Sequence, residues 1–215
     1  MARSEKGRLL NRQKVLEAAL KLIDDEGVEG FNMRKLGAAL GVEAMSLYNH
    51  IEGKDDVLDG VIELLLLQAS YPQRTDVTPR QELWDFAHEY RNVLRAHPRA
   101  VSLVAARQLR TDASLAILER LLETLHRAGV EGVDAIYAVN SFAGFIIGHA
   151  LFDVGSVAVA GFEQEVNEKA VWQRLSPDRY PTLRAAIPVF EHWSAEREFD
   201  FGLRALLQSI LPQRE

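Results

Sequence analysis

Side chains able to carry covalent or acid–base chemistry are spread thinly along this chain. Its six histidines, at positions 50, 88, 97, 126, 149 and 192, lack the short spacings that bring imidazoles onto one metal. The absence of cysteine excludes disulfide frameworks, thiolate zinc sites, iron–sulfur clusters and a cysteine nucleophile. No Gly-x-Ser-x-Gly elbow, phosphate-cradling glycine loop or His-Glu-x-x-His run is present. Catalysis is not expected, nor is a metal or cofactor. Chemistry of another kind concentrates between Asn32 and Lys54. There a short helical segment offers small and polar side chains on its outer face: Ala44, Met45, Ser46, Asn49 and His50. That is the surface expected of a helix laid in the major groove of DNA.

Such a helix must be held at a fixed angle. Asn32 can cap a helix over Met33–Leu40, Gly41 suits a turn that needs positive φ, and a second helix is expected from Glu43 to His50. Leu36, Leu40, Val42, Leu47 and Ile51 supply the apolar contacts that pin this pair against a preceding helix, whose stripe is Val15, Ala18, Ala19, Leu22 and Ile23. The outline is a helix-turn-helix. Gly37 stands inside the first helix of the pair at a cost of about 1 kcal/mol relative to alanine, with no reason visible in the sequence. Taken singly, Tyr48 also reads as a core aromatic, His50 as a surface or capping residue and Lys54 as a solvated cation.

Helical periodicity continues through the chain. Further stripes run over Val57–Leu66, Leu83–Leu94, Leu115–Leu125 and Phe199–Ile210, and strand or hairpin signals are weak throughout. The fold class expected is all-α. Asn11 and Gly27 bracket the first helix, Thr78-Pro79 opens another that His97-Pro98 ends, and Gly129 closes one that starts near Asp112. Tyr71–Thr78 reads as a polar connector, and Gly161–Pro181 as a long loop holding one short helix around Val166–Leu175. No secretory leader is visible, so a cytoplasmic protein is expected. The stretch Ala135–Phe152 has the length of a membrane span, but Asn140, Ser141, His149 and its acidic flanks favour a buried helix. A formal net charge of −6 argues against a general electrostatic coat for nucleic acid, while leaving room for a local site. Near the N-terminus, Arg3, Lys6, Arg8, Arg12 and Lys14 face only Glu5, a basic arm that is either disordered or a DNA contact.

The segment from Asn32 to Leu58 resembles the DNA-binding signature of the tetracycline-repressor (TetR) family. The match runs through Arg34, Leu36, Leu40, Gly41, Val42, Leu47, Tyr48, His50, Lys54 and Leu58, and departs at Asn32, Gly37 and Ile51, where the family carries Thr, Ala and Phe. Close similarity covers about residues 10 to 68. Farther on, Tyr137–Gly148 and Phe199–Ile210 resemble the eighth and tenth helices of the tetracycline-repressor subgroup. The resemblance implies a helix-turn-helix domain over residues 1–56 and a larger helical ligand-binding and dimerisation domain over 57–215. It implies that Ala44, Met45, Ser46 and Asn49 face base edges, that Arg34 reaches a phosphate or a guanine, that Tyr48 and His50 bond phosphates, and that Lys54 binds a phosphate at a helix N-terminus.

A repressor of this kind requires two reading helices, hence a homodimer on a palindromic double-stranded operator. The Ala135–Phe152 and Ala195–Leu211 helices are the expected dimer surface, with Phe199, Leu203 and Leu207 on the second. For a small apolar or aromatic effector the larger unit offers Trp84, His88, Tyr90, Gln108, Asn140, Phe142, Phe145 and Trp172, joined by family position with Leu118, Leu122, Ile136 and Val139. The polar residues that hold tetracycline and its magnesium in drug-sensing members have no counterparts here, so neither is expected. The alternative is a helical small-molecule-binding or interaction protein whose helix-turn-helix does not read DNA.

Overall fold

A computed structural model describes residues 10–71, 76–159 and 174–212. Arg3, Lys6 and Arg8 of the basic arm, Trp172, and the expected Val166–Leu175 helix up to residue 173 lie outside the described residues. Among those described there are helices and no strands. They are α1 (Arg12–Gly30), α2 (Met33–Leu40), α3 (Ala44–Leu47), α4 (Lys54–Gln68), α5 (Pro79–Ala96), α6 (Val101–Ala106), α7 (Asp112–Arg127), α8 (Gly132–Val159), α9 (Pro181–Ala186) and α10 (Ala195–Ile210).

The punctuation residues act as their chemistry dictates. The side chains of Asn11 and Thr78 accept hydrogen bonds from the amides of Lys14 and Gln81. Gly27 takes φ +79° and breaks α1, after which one more turn runs to Gly30. Gly129, at φ +85°, follows the end of α7.

Helix α1 packs on α2, on α4 and on the short 3-10 turn Pro98–Ala100 that follows α5. At Gly60 a β-carbon would collide with the methyls of Leu16, so glycine sets the close approach of α4 to α1. Helix α4 also packs on α5 and α7, and α8 packs on α5, α6, α7 and α10.

Three expectations are corrected. Of the stripe expected over Leu115–Leu125, Leu121 and Leu125 are buried and Leu118 and Leu122 flank the core, but Leu115 is exposed, and Ser114, Ile117 and Thr124 complete the buried face of α7. Two polar residues are buried because both find partners. Ser114 forms a capping box with Thr111, and the Thr124 hydroxyl lies 2.8 Å from the Tyr71 hydroxyl and 3.2 Å from Glu82. For the same reason Tyr71 is not part of a polar connector. It is buried against Phe86, and desolvation raises its pKa to about 12. Finally, Phe199, Leu203 and Leu207 of α10 are fully buried within their own chain and cannot form a surface between subunits. As for α8, residues Gly132–Asp153 are long and apolar enough to cross a membrane. One face, including Ala135, Ala138, Phe142, Ile146 and Ala150, is buried in the core, while Val133, Ile136, Tyr137 and Phe152 are exposed.

One buried cation ties three helices together. The Arg91 side chain of α5 is 1% exposed and pairs with Asp153 of α8 at 3.0 Å and with Glu196 of α10. It also donates to the carbonyl of Ala195 and stacks 4.5 Å from the centre of the Phe199 ring. A lone buried guanidinium would be costly, and these partners offset its desolvation. Arg95, then Arg91, hold the Glu196 carboxyl below its ordinary pKa. A carboxyl depressed in the folded state stabilises above its unfolded pKa of about 4.3 and loses that contribution as pH falls. Replacing Arg91 with Leu is expected to lower stability by about 1.5–3 kcal/mol at pH 7, the range for hydrogen bonds to charged groups. It is also expected to flatten the acid limb of the stability profile. Urea unfolding at pH 7 and pH 4 checks both, and a variant as stable as the wild type would remove Arg91 from this role.

Candidate nucleic-acid interface

The helix pair is built by short local contacts. Asn32 accepts from the Lys35 amide at 3.0 Å and starts α2. Gly41 sits at φ 70° and ψ 28°, the left-handed region that ends the helix, and its amide bonds the carbonyl of Ala38. The Val42 amide then returns to the carbonyl of Gly37 at 2.9 Å. This return explains Gly37. A β-carbon there would stand 3.0 Å from the carbonyl oxygen of Val42 and 3.1 Å from the amide nitrogen of Ala44. Glycine lets the turn fold directly onto α2, which fixes where α3 begins.

Helix α3 is shorter than expected, Ala44–Leu47 instead of Glu43–His50. Past Leu47 the chain tightens: the amides of His50 and Ile51 both bond the Leu47 carbonyl, at 2.8 and 3.1 Å. Leu47 is fully buried and Ile51 nearly so, and these two anchor the segment. Its opposite side is open. Met45 is 75% exposed and Tyr48 is 48% exposed, Asn49 is exposed, and Ala44, Ser46 and His50 are partly exposed. Arg34 projects from α2 and is exposed. A large thioether left bare beside an amide and a phenol forms a surface with both apolar and hydrogen-bonding contacts to offer.

Lys54 begins α4 next to this surface. It is exposed, and its Nζ lies 5.8 Å from the centre of the Phe31 ring. No side chain caps α4 at Gly53. The first-turn amides and the helix dipole are therefore available to an anion. The carboxylate of Asp56 points back instead, accepting from the Glu52 amide at 2.8 Å. The eight residues marked for DNA thus lie on α2, on α3 and the turn after it, and at the start of α4.

Charge is placed less simply than the sequence suggests. Arg12 of the basic arm is committed to α4, 3.2 Å from Asp56 and 3.2 Å from Glu63. Lys35 pairs with Glu26 of α1 and donates to the Gly30 carbonyl. Sequence reasoning passed over Arg107, which reaches from beyond α6 to Asp59 at 2.8 Å and to Asp55 at 3.1 Å. The available signal was the i, i+4 spacing of Asp55 and Asp59, which puts two carboxylates on one helix face and asks for a cation opposite.

The residues marked for an effector fall in separate places. His88 lies 3.1 Å from Asp200, and its ring is 5.1 Å from both Trp84 and Phe199, in a cluster between α5 and α10. Val139 and Phe142 are buried in the core, Phe142 with its ring 6.4 Å from that of Phe86. Leu118 and Leu122 flank the core, and Leu122 and Ile136 line a groove between α7 and α8 with His126 and Glu123. Gln108 and Asn140 are exposed.

The sequence matches the family described as bacterial regulatory proteins, tetR family, over residues 15–61, and the tetracyclin repressor-like C-terminal domain over residues 71–213. A helix-turn-helix transcriptional regulator of Saccharopolyspora erythraea is 30% identical over 94% of this chain and 85% of its own. The class A tetracycline repressor protein from transposon 1721 of Escherichia coli is 28% identical over 95% of this chain and 92% of its own. The TetR family protein ActR of Streptomyces coelicolor, solved in complex with actinorhodin, superposes with a TM-score of 0.79 at 20% identity, covering 94% of this chain and 95% of that one. The exposed, glycine-hinged helix pair and the helical body behind it are thus shared over nearly the whole length with regulators of one kind. The chain belongs to the tetracycline-repressor (TetR) family of bacterial transcriptional regulators.

Proposed function

We propose that this protein is a homodimeric repressor that reads a palindromic operator and is released by a small apolar or aromatic effector. The observation that carries the reading is the anchored yet bare segment Ala44–His50, where buried Leu47 holds exposed Met45, Tyr48 and Asn49 outward. In this proposal Asn49 pairs with an adenine edge and Met45 touches a thymine methyl, with Ala44 and Ser46 close against the groove floor. Arg34, Tyr48, His50 and Lys54 hold phosphates and set the register.

Two copies are required, because one short helix covers only a half-site. The half-sites lie about one turn of DNA apart, roughly 34–36 Å. Support for the dimer comes from the free sides of α8 and α10. Val133, Tyr137 and Leu151 are exposed along α8, a β-carbon on Gly144 or Gly148 would meet nothing, and Phe201 is 74% exposed on α10. Two such helices from each subunit make a four-helix bundle. For the effector, the groove at Leu122 and Ile136 offers an apolar wall with His126 and Glu123 at hand. The effector weakens DNA binding by favouring one separation of the reading helices over the other.

Sequencing of duplexes selected by the protein from a random pool tests the whole reading, with a palindromic consensus expected. Met45→Ala or Asn49→Ala should relax one position in each half-site, since a good base contact discriminates by about 1–3 kcal/mol. Tyr48→Phe and Lys54→Ala should weaken every sequence alike, and Lys54→Ala should lower the salt slope by about one. An unchanged consensus in the first pair, or altered preference in the second, contradicts the assignment.

Sedimentation of the wild type and of Phe201→Asp and Gly148→Leu tests the dimer. Both variants should dissociate while keeping their helical signal, since neither position is packed within the subunit. Leu203→Asp, by contrast, places a charge in the subunit's own core and should unfold it. A wild-type monomer at micromolar concentration overturns the dimer.

A further inference from the structure

The cleft where the larger helical unit meets the start of α4 collects an unusual amount of charge. Glu52, Asp55, Asp56, Asp59 and Glu63 line one side, with Arg110 and Asp112 opposite. Three of these acids, Asp55, Asp56 and Asp59, fall in the first two turns of α4, immediately after Lys54. A phosphate drawn to that helix terminus would meet their field, and bare carboxylates there oppose the binding that the helix dipole favours.

The acids are not bare. Asp56 is paired with Arg12 of α1 at 3.2 Å. Asp55 and Asp59 depend on a cation from elsewhere. Arg107, the first residue past α6, donates from Nε to Asp59 at 2.8 Å and from Nη1 to Asp55 at 3.1 Å. Asp55 is otherwise open to water, its side chain 83% exposed, whereas Arg107 is 22% exposed and Asp59 is 12% exposed. A guanidinium held between two carboxylates leaves one net negative charge where there would be two, and it draws the exposed Asp55 carboxylate back toward the cleft.

We propose that Arg107 is a charge-masking residue for DNA binding: it stays clear of the duplex and neutralises Asp55 and Asp59 beside the phosphate-binding start of α4. This rests on the DNA-reading function proposed above. At about 10 Å in water of low ionic strength, one unit charge against one phosphate alters affinity roughly twofold. Loss of Arg107 unmasks one net negative charge in each of two protomers and therefore weakens binding by roughly fourfold. Arg107 belongs to the helical unit behind the reading helices, so drawing it off α4 converts a displacement in that unit into repulsion of DNA.

The test measures affinity for a duplex chosen by selection from a random pool, using the full-length wild type, Arg107→Gln, Arg107→Lys and the triple variant Arg107→Gln/Asp55→Asn/Asp59→Asn. At low ionic strength Arg107→Gln should bind about fourfold more weakly, and Arg107→Lys, which keeps the charge, should recover most of the loss. The triple variant, which lacks both the cation and the anions it covers, should bind at least as tightly as the wild type. Thermal melts of all four proteins, with the wild-type helical signal expected at the temperature of the binding assay, separate charge from folding, since Asp59→Asn also relieves an unpaired acid. Wild-type affinity in Arg107→Gln overturns the proposal. So does a triple variant as weak as Arg107→Gln, which would make Arg107 a direct DNA contact or a mechanical brace. A wild type that binds no duplex at all overturns the DNA-reading function itself, whereas binding that is insensitive to Arg107→Gln overturns this inference alone.

Discussion

Helix α4 has almost no side that can be left in water. Val57, Leu58, Val61, Ile62, Leu64, Leu65 and Leu66 are all buried, and they point in several directions around the axis. A helix of this kind must be covered on more than one face. Helix α1 covers one side, brought close by Gly60, and α5 and α7 cover others. The reading segment and the helical body are therefore two sides of one core. A shift of α5 or α7 that moves α4 carries the start of α4, and the turn before it, along. Interiors packed at this density transmit displacement instead of absorbing it.

Local rules made much of this fold legible in the sequence. The caps at Asn11, Asn32 and Thr78, the glycine at 41 and the break at His97-Pro98 each depend on a residue's own backbone chemistry, and each appears where it was expected. Expectations failed where a partner distant in sequence decided the outcome. Ser114 and Thr124 stand outside the apolar stripe of α7, because hydrophobicity counts side chains one at a time. Tyr71, Glu82 and Thr111 make their burial affordable. The α10 stripe at Phe199, Leu203 and Leu207 was plainly apolar, but an apolar stripe does not say which chain covers it. Gly37 had no explanation until the Val42 carbonyl and the Ala44 amide were seen against it.

The candidate site divides in the same way. The exposed face of the helix pair was legible because a short run with a buried anchor leaves few choices for the rest, and Met45, Tyr48 and Asn49 are exposed around Leu47. The residues expected to hold an effector do not gather in one place. Trp84 and His88 turn toward α10, Phe142 turns into the core, and Leu122 and Ile136 open onto a groove. Aromatic and polar residues on neighbouring helices share a cavity only if their faces converge. The rotation of each helix is set by its whole buried stripe, which for α7 was misread.

The charge pattern resolves an apparent contradiction between a net charge of −6 and a DNA-reading fold. Acids along α4 are covered by cations. Asp56 and Glu63 meet Arg12, and Asp55 and Asp59 meet Arg107. Of these two cations, Arg12 lies in α1 and Arg107 lies beyond α5 in the chain. Ion pairs at such partly exposed sites add little to stability, on the order of 0–1 kcal/mol each. Their effect is on the field, since a paired carboxylate is a weak dipole at a distance where a bare one is a full charge. The helical body thus holds the start of α4 in place through the core of that helix and, on the proposal above, also sets the potential around it through Arg107.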